Sequence, residues 1–303
     1  MTLFRKILIK ARNVIVKAIP ENSGLFRCLA IIGLRLNAKT QHKKYEVLTM
    51  SVHATHHCNL NCKCCTAFSP IADEYFLDID SYKRDMNKLA ELSGGKMSNF
   101  TVSGGEPLLH PRITEIFDIA RSSFAEAEIG FMTNGVLLTK MQESFWESCK
   151  KNKVSISISK YPINLNVKEI EKIAKRYDIQ YKYVGGSDVP IKSMWKYPLD
   201  FEGKQPLSRS YELCSQINTC FSMENGLIYP CNPIAKAKYF NKYFDKNMEI
   251  TKSDTLDLHT VASIDEVFEF LCSPKPFCRY CNRRGLVLGI KHGLSERDIS
   301  EWS

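Results

Sequence analysis

The chain has 303 residues, of which 44% are hydrophobic and 25% charged, and a formal net charge of +9. That length and balance fit a globular enzyme of one large or two ordinary domains, and exclude a disordered, collagenous or small disulfide-framed protein. The basic excess suits a phosphorylated, nucleotide-linked or lipid-headgroup partner, or simply a solvated surface.

In chain order, Leu3, Phe4, Ile7, Leu8, Ala11, Val14 and Ile15 recur at helical spacing, and Pro20 and Gly24 end the pattern before a second apolar run, LFRCLAIIGLRL. Residues 1–48 therefore predict two helices. They either cover one end of the main domain or lie on a membrane surface through residues 3–36. Cys28 is expected in their core. Lys10, Arg12 and Lys17 interrupt the apolar run, so neither a signal peptide nor a membrane span is expected. A cytoplasmic, reducing setting follows, in which clustered cysteines serve as metal ligands or catalytic groups.

From residue 45 strands and helices alternate. The predicted strands are 45–55, 99–105, AEIGFMTNG, 153–160 and 179–185; the helices between them are DSYKRDMNKLAEL, ITEIFDIARSSF, LTKMQESFWESCKKN and VKEIEKIAKRYD. Such repetition predicts an α/β fold with a parallel sheet and crossover helices. Ligands in such folds bind at the carboxyl ends of the strands. The cysteine loop, Ser103-Gly104-Gly105-Glu106, Thr133-Asn134-Gly135 and Ser157/Ser159 all fall there. Beyond about residue 190 the chain turns irregular and aromatic, with Trp195, Tyr197 and Phe201 either lining a substrate pocket or packing between domains. FSMENGLIYPC predicts a hairpin turning at Asn225-Gly226, and ASIDEVFEFLCS a helix. Ser295-Glu296-Arg297-Asp298 carries a capping pattern that predicts a helical tail over 291–303. The expected divisions are 1–48, 49–200, 201–290 and 291–303.

Two cysteine groups dominate the chemistry. Cys58, Cys62 and Cys65 can gather three thiols around one compact metal centre, leaving a four-iron cube with one iron open to a small molecule. Zinc is the rival, with Cys64, His56 or His57 as a fourth ligand. His53, His56 and His57 flank the loop and could tune it through hydrogen bonds. The second group is Cys214, Cys220, Cys231, Cys272, Cys278 and Cys281, while Cys149 is expected in the core. No Walker loop is present, and GGEPLLHP lacks the Rossmann glycine spacing.

Cys58-Asn59-Leu60-Asn61-Cys62-Lys63-Cys64-Cys65 matches the CxxxCxxC loop of the radical S-adenosylmethionine (SAM) superfamily, and Ser103-Gly104-Gly105-Glu106-Pro107-Leu108 the segment after its second barrel strand. Residues 154–159, VSISIS, resemble its fourth-strand region. The resemblance covers about residues 50–190 and implies a partial (β/α)6 TIM-like barrel with N-terminal helices and a small C-terminal domain. It implies that Cys58, Cys62 and Cys65 hold a [4Fe–4S] cluster whose open iron takes the amino and carboxylate groups of SAM. Gly104, Gly105 and Glu106 would hold the amino group, Ser157 or Ser159 the ribose, and Asn134 would lie at the cofactor face. Many members carry an aromatic residue where Cys64 stands, and some carry glycine. Cys214, Gly226, Cys231 and the pair Cys278/Cys281 resemble a shortened auxiliary-cluster (SPASM/twitch) domain holding a second [4Fe–4S] cluster, with Cys220 or Cys272 as possible substitutes.

The resemblance implies reductive cleavage of SAM to a 5′-deoxyadenosyl radical that abstracts a substrate hydrogen, fed by a flavodoxin- or ferredoxin-type donor. The preferred reaction is dehydrogenation or related redox modification of a small polar metabolite, such as a sugar, an aminoglycoside-like compound or a nucleotide-sugar, with no nucleic-acid partner expected. Peptide oxidation or crosslinking is the principal alternative. Epimerisation is another, with Cys220 as hydrogen donor, and a structural metal-binding or assembly module is the non-enzymatic one. Tyr161, just past VSISIS, either reaches substrate or is a plain surface aromatic.

Overall fold

The computed structural model describes residues 48–184, 193–196, 198–214 and 221–303. The expected N-terminal helices with Cys28 and the membrane-contact segment 3–36, together with Tyr197 and Cys220, lie outside the described residues. Among the described residues, no helix is long and apolar enough to cross a membrane.

Five strands run parallel in sequence: β1 (Leu48–Thr55), β2 (Met97–Gly104), β3 (Glu128–Thr133), β4 (Val154–Ser159) and β5 (Tyr181–Val184). Crossover helices α1 (Ile79–Ser93), α2 (Ile113–Ser123), α3 (Glu143–Lys151) and α4 (Val167–Arg176) connect them. The alternation read from sequence is thus the alternation in space. On the far side of β1 lies β7 (Ser222–Glu224), parallel to β1 through Ser51 and Ser222. Antiparallel β8 (Leu227–Tyr229) and β9 (Leu256–Asp257) extend the same sheet, whose order is β5-β4-β3-β2-β1-β7-β8-β9. The hairpin predicted around Asn225-Gly226 is β7–β8, and both turn residues have positive φ, as a tight two-residue turn requires.

Side-chain alternation sets the two faces of the sheet. Leu48, Met50, Val52, Phe100, Val102, Ile129, Phe131, Ile156 and Ile158 are buried in one core with Tyr82, Met86, Leu89, Ile116 and Phe117 of the helices. The opposite residues are short and polar: Ser51, His53, Thr101, Ser103, Ser157 and Ser159 are only partly buried. Ser51 Oγ and Ser103 Oγ lie 3.0 Å apart across β1 and β2. Period-two patterning therefore gives an apolar face under the helices and a hydroxyl-lined face toward the carboxyl-end site. Local signals agree with this. Helix α1 starts where Asp78 accepts from the Ser81 N–H at 2.7 Å, and stops at Gly94 with φ +61°.

A second core joins Phe68, Ile71, Leu199, Ile234, Phe240, Phe277, Tyr280 and Trp302. It packs around helix α6 (Asn232–Phe244), with α5 (Leu207–Glu212) and the segment 276–281 nearby. Both cores draw on both sides of residue 200: Phe221, Met223 and Val267 lie in the first, Phe68 and Ile71 in the second. Helix α7 (Ile264–Leu271) forms as expected and buries Val267 and Leu271. Phe201 stacks on Phe240 at 4.9 Å, which settles it as packing.

One expectation is corrected. The tail 291–303 is not helical. After β10 (Val287–Lys291), paired antiparallel to β6 (Ser193–Lys196), the chain runs on without an α-helix and ends in a single 3₁₀ turn at Ile299–Glu301. The Ser295 side chain that suggested a cap instead donates to Glu301 Oε2 at 2.8 Å, and Asp298 caps the short turn through the Ser300 N–H. A capping pattern marks a helix start only where the following residues are not claimed by tertiary partners.

Candidate active site

The cysteine loop leaves the carboxyl end of β1 and lies against the turns that follow β2 and β3. None of the described cysteines is in a disulfide. Cys58, Cys62 and Cys65 sit close enough for their charges to act on one another. Cys58 Sγ accepts from the Leu60 N–H at 3.4 Å and is approached by Asn134 Nδ2 at 3.7 Å. Burial, chiefly, pushes the Cys58 thiol up to about 12 and the Cys62 thiol to about 11, so metal-free protein keeps both protonated and metal binding must displace protons.

The glycine pair is explained by close approach. A Cβ on Gly104, whose φ is +143°, would lie 2.3 Å from the Thr55 carbonyl oxygen, and one on Gly105 2.0 Å from that of His57. Only glycine lets this strand end press against the loop. Two backbone bonds fix the contact: Gly105 N–H to Thr55 O at 2.9 Å and Glu106 N–H to His57 O at 3.1 Å.

Glu106 is fully buried, and three donors reach its carboxylate. Leu108 N–H donates to Oε1 at 3.0 Å, the Thr133 hydroxyl to Oε1 at 2.7 Å, and Asn134 N–H to Oε2 at 2.9 Å. Burial pushes its pKa up although all three bonds favour the ionised form. In this arrangement Glu106 ties the end of β2 to the end of β3. Asn134 carries the tie onward, its Nδ2 donating to Asn59 Oδ1 at 2.7 Å. Ser157 and Ser159 sit on the hydroxyl-lined face of β4, each half-buried. Tyr161 stacks on His292 at 5.0 Å, and burial followed by the charges of Cys62, Cys65 and Cys58 raises its pKa. It therefore stands beside the loop and is not a plain surface aromatic.

Cys64 has φ +55° and is 3% exposed. A left-handed backbone here gives a physical reason why glycine suits this position.

The hydrogen bonds of His56 and His57 run to Tyr239 and Tyr75 and not to the thiols. His57 Nδ1 accepts from the Tyr75 N–H at 3.2 Å. His56 stacks on Tyr75 at 3.9 Å, shares a 2.7 Å hydrogen bond with the Tyr239 hydroxyl, and places Nε2 3.2 Å from Glu224 Oε2, near enough for an ion pair but poorly aligned for a hydrogen bond. Burial lowers His56 to about 4; Glu224, which burial alone would raise, is pulled to about 2 by His56, Lys236 and Lys238. Lys236 of α6 is buried beside this cluster, and its Nζ has no hydrogen-bond partner among the described residues. Burial lowers it to about 7 against the pull of Glu224. The unfolded chain, with lysine near about 10.4, binds more protons between those values, so stability rises with pH across that window. Lys236→Met is expected to be more stable than the parent by on the order of 2 kcal/mol at pH 7. The gap should narrow toward about pH 10, as read by urea unfolding at both pH values.

Cys214, Cys231, Cys278 and Cys281 line one cavity of about 40 Å³, more room than one water needs. Arg283 Nη2 donates to Cys214 Sγ at 2.9 Å, and Lys275 forms another part of the wall. Burial raises the thiols of Cys231 and Cys278 and takes Cys281 to about 12. Cys272 is not on this wall; its carbonyl accepts from the Tyr211 hydroxyl. Helix α6 follows directly on Cys231 and reaches His56 through Tyr239, so it links the two cysteine sets.

Among the described residues, no three or more His, Cys, Asp or Glu side chains gather tightly enough to hold a single metal ion. The donor chemistry nevertheless fits iron–sulfur centres. Free, mutually coupled thiols stand at a strand end in one set, and four thiols share a cavity with two cationic walls in the other. Sequence reasoning missed Thr55, Arg283 and Glu301, and gave Asn59 and Thr133 no role of their own. Thr133 alone had a signal, as a hydroxyl at a predicted strand end.

Residues 52–161 match the family model described as the Radical SAM superfamily. A GTP 3′,8-cyclase of Chlorobaculum tepidum is 31% identical over 97 residues, which span 32% of this chain and 28% of that relative's length. Among solved structures, one titled as anSMEcpe with bound AdoMet shares 18% identity over 45% of this chain and 42% of its own, with a TM-score of 0.37. Another, titled as BtrN in complex with AdoMet and 2-DOIA, shares 16% identity over 79% of this chain and 94% of its own, with a TM-score of 0.49. The sequence match thus places a radical SAM domain at residues 52–161 of this chain.

Proposed function

We propose that the chain is a SAM-dependent radical enzyme that dehydrogenates, or otherwise changes the redox state of, a small polar metabolite. The observation that carries this reading is the convergence of three free thiols, the Gly104–Glu106 turn and Asn134 at the carboxyl ends of β1, β2 and β3. Cys58, Cys62 and Cys65 would hold a [4Fe–4S] cluster, and Cys214, Cys231, Cys278 and Cys281 an auxiliary one. The group held by the first set would supply one-electron reductive cleavage of SAM and, through it, abstraction of a hydrogen atom from the substrate.

The protein's own part is placement and exclusion of water. Thr55 and His57 accept the Gly105 and Glu106 N–H groups, so the backbone of this turn is rigid before any ligand arrives. Glu106 does its work through Thr133 and Asn134, and Asn134 holds Asn59 next to Cys58. Ser157 and Ser159, on the hydroxyl-lined face of β4, would meet the ribose. The hydroxyls of Ser51, Thr101 and Ser103 offer a face that suits a polyol or amino sugar better than an apolar ligand. Arg283 and Lys275 would offset the negative charge of a four-thiolate auxiliary centre, which would serve as acceptor for the substrate's electron.

The test is anaerobic. Iron-reconstituted protein, reduced with dithionite or a flavodoxin system, should convert SAM to 5′-deoxyadenosine. A panel of polyols and amino sugars deuterated at the carbinol carbon should then label that product. Reduced, iron-loaded protein that forms no 5′-deoxyadenosine would sink the reading. Labelling from a deuterated peptide alone would move it to peptide modification.

A further inference from the structure

The last residues of the chain grip the cysteine loop. Lys63 N–H donates to Gly293 O at 2.8 Å, and Ser295 N–H to Asn61 O at 2.8 Å. Asn61 Nδ2 donates to Ser295 O at 3.0 Å, and Cys62 forms an antiparallel bridge with Leu294. The Trp302 indole N–H donates to Cys65 O at 2.9 Å, while its ring is buried in the second core. Glu301, 2% exposed, accepts from the Cys64 N–H at 3.1 Å, the Ser295 hydroxyl at 2.8 Å and the Glu296 N–H at 2.7 Å. The same Ser295 hydroxyl oxygen accepts from the Arg297 N–H at 3.0 Å. Nearly every backbone step from Asn61 to Cys65 is thus held by residues more than two hundred positions away in sequence.

We propose that the segment Gly293–Trp302 is a wall of the cysteine-loop site, and that Glu301 is a positioning residue that holds Cys64 in its left-handed conformation and places a negative charge beside the centre held by Cys58, Cys62 and Cys65. The electrostatic half rests on the proposed function; the positioning half does not. Left-handed backbone in a residue other than glycine persists only where its surroundings over-determine it. Here the Glu301 carboxylate on the Cys64 N–H, and the indole on the next carbonyl, supply that determination. Cluster potentials depend on net charge, hydrogen bonding and solvent exposure, and a buried carboxylate next to the loop acts through charge and exposure together.

Glu301→Gln keeps the shape but removes the charge and replaces one acceptor oxygen with an amide donor, and Glu301→Asp keeps the charge on a shorter arm. In metal-free protein, amide hydrogen exchange of the peptide covering 58–66 should speed up by roughly tenfold or more in Glu301→Gln, with exchange in β2 and β3 unchanged. In iron-loaded protein, the midpoint potential of the centre sensitive to SAM should move positive in Glu301→Gln and return toward the parent in Glu301→Asp. The auxiliary signal should stay fixed and serves as the internal reference. Unchanged exchange in the loop would overturn the positioning role. Faster exchange with an unmoved potential would overturn the electrostatic one. If parent protein loads no iron at the loop, the proposed function fails, and the exchange measurement still decides the wall.

Discussion

Replacing Cys58, Cys62 or Cys65 with alanine is expected to abolish 5′-deoxyadenosine formation and to lower iron from about eight to about four atoms per chain. The reason is geometric. On the proposed function, three thiols would leave one iron of a cube open for SAM, and loss of a thiol would remove the cube before any chemistry could begin. The sheet should survive the change, because the faces of β1 to β4 pack through Met50, Val52, Phe100, Phe131 and Ile156 and not through the loop. Circular dichroism should therefore match the parent while the activity is lost. Cys64→Gly provides the control. The φ of +55° at this position suits glycine, so this variant should keep its iron and its SAM cleavage. If it lost both while Cys65→Ala kept them, the ligand assignment would be wrong at that pair.

The second large effect is expected from Cys231→Ala or Cys278→Ala. Either should remove about half the iron while leaving SAM cleavage in the absence of substrate. Turnover to oxidised product should fall by on the order of tenfold or more if the second centre accepts the substrate's electron. The cavity makes this sharp. Cys214, Cys231, Cys278 and Cys281 share its wall, whereas Cys272 lies off it. Cys272→Ala should accordingly keep full iron. Retention of all iron by Cys278→Ala would count against an auxiliary centre in this cavity. Loss of SAM cleavage as well would mean that the two sites are structurally coupled through α6, which runs from Cys231 to the Tyr239–His56 contact.

Much of this architecture is written locally. The period-two runs around Met50, Phe100, Phe131 and Ile156 can bury only one face, and the helical runs between them have one apolar stripe, so a parallel sheet under helices is the consistent answer. The cysteine spacing and the glycine pair are local as well, since both concern a few consecutive residues. The network through Glu106 was only half legible. Its position at a strand end was plain, but that its oxygens face Leu108, Thr133 and Asn134 depends on how far β3 extends beside β2.

The sequence by itself determined the alternating α/β order, the placement of the thiol loop and the glycine turn at strand carboxyl ends, and the superfamily resemblance, because each follows from periodicity or from short-range spacing. Only the tertiary structure decided that β7–β9 join the main sheet beside β1, that four distant cysteines share one cavity, and that the tail abandons a helix to clasp the loop. The capping pattern at Ser295 carried a weak local preference. Glu301 within the tail and Asn61 across the molecule offered Ser295 hydrogen bonds instead, and a buried polar group left unpaired costs more than one short exposed helix returns.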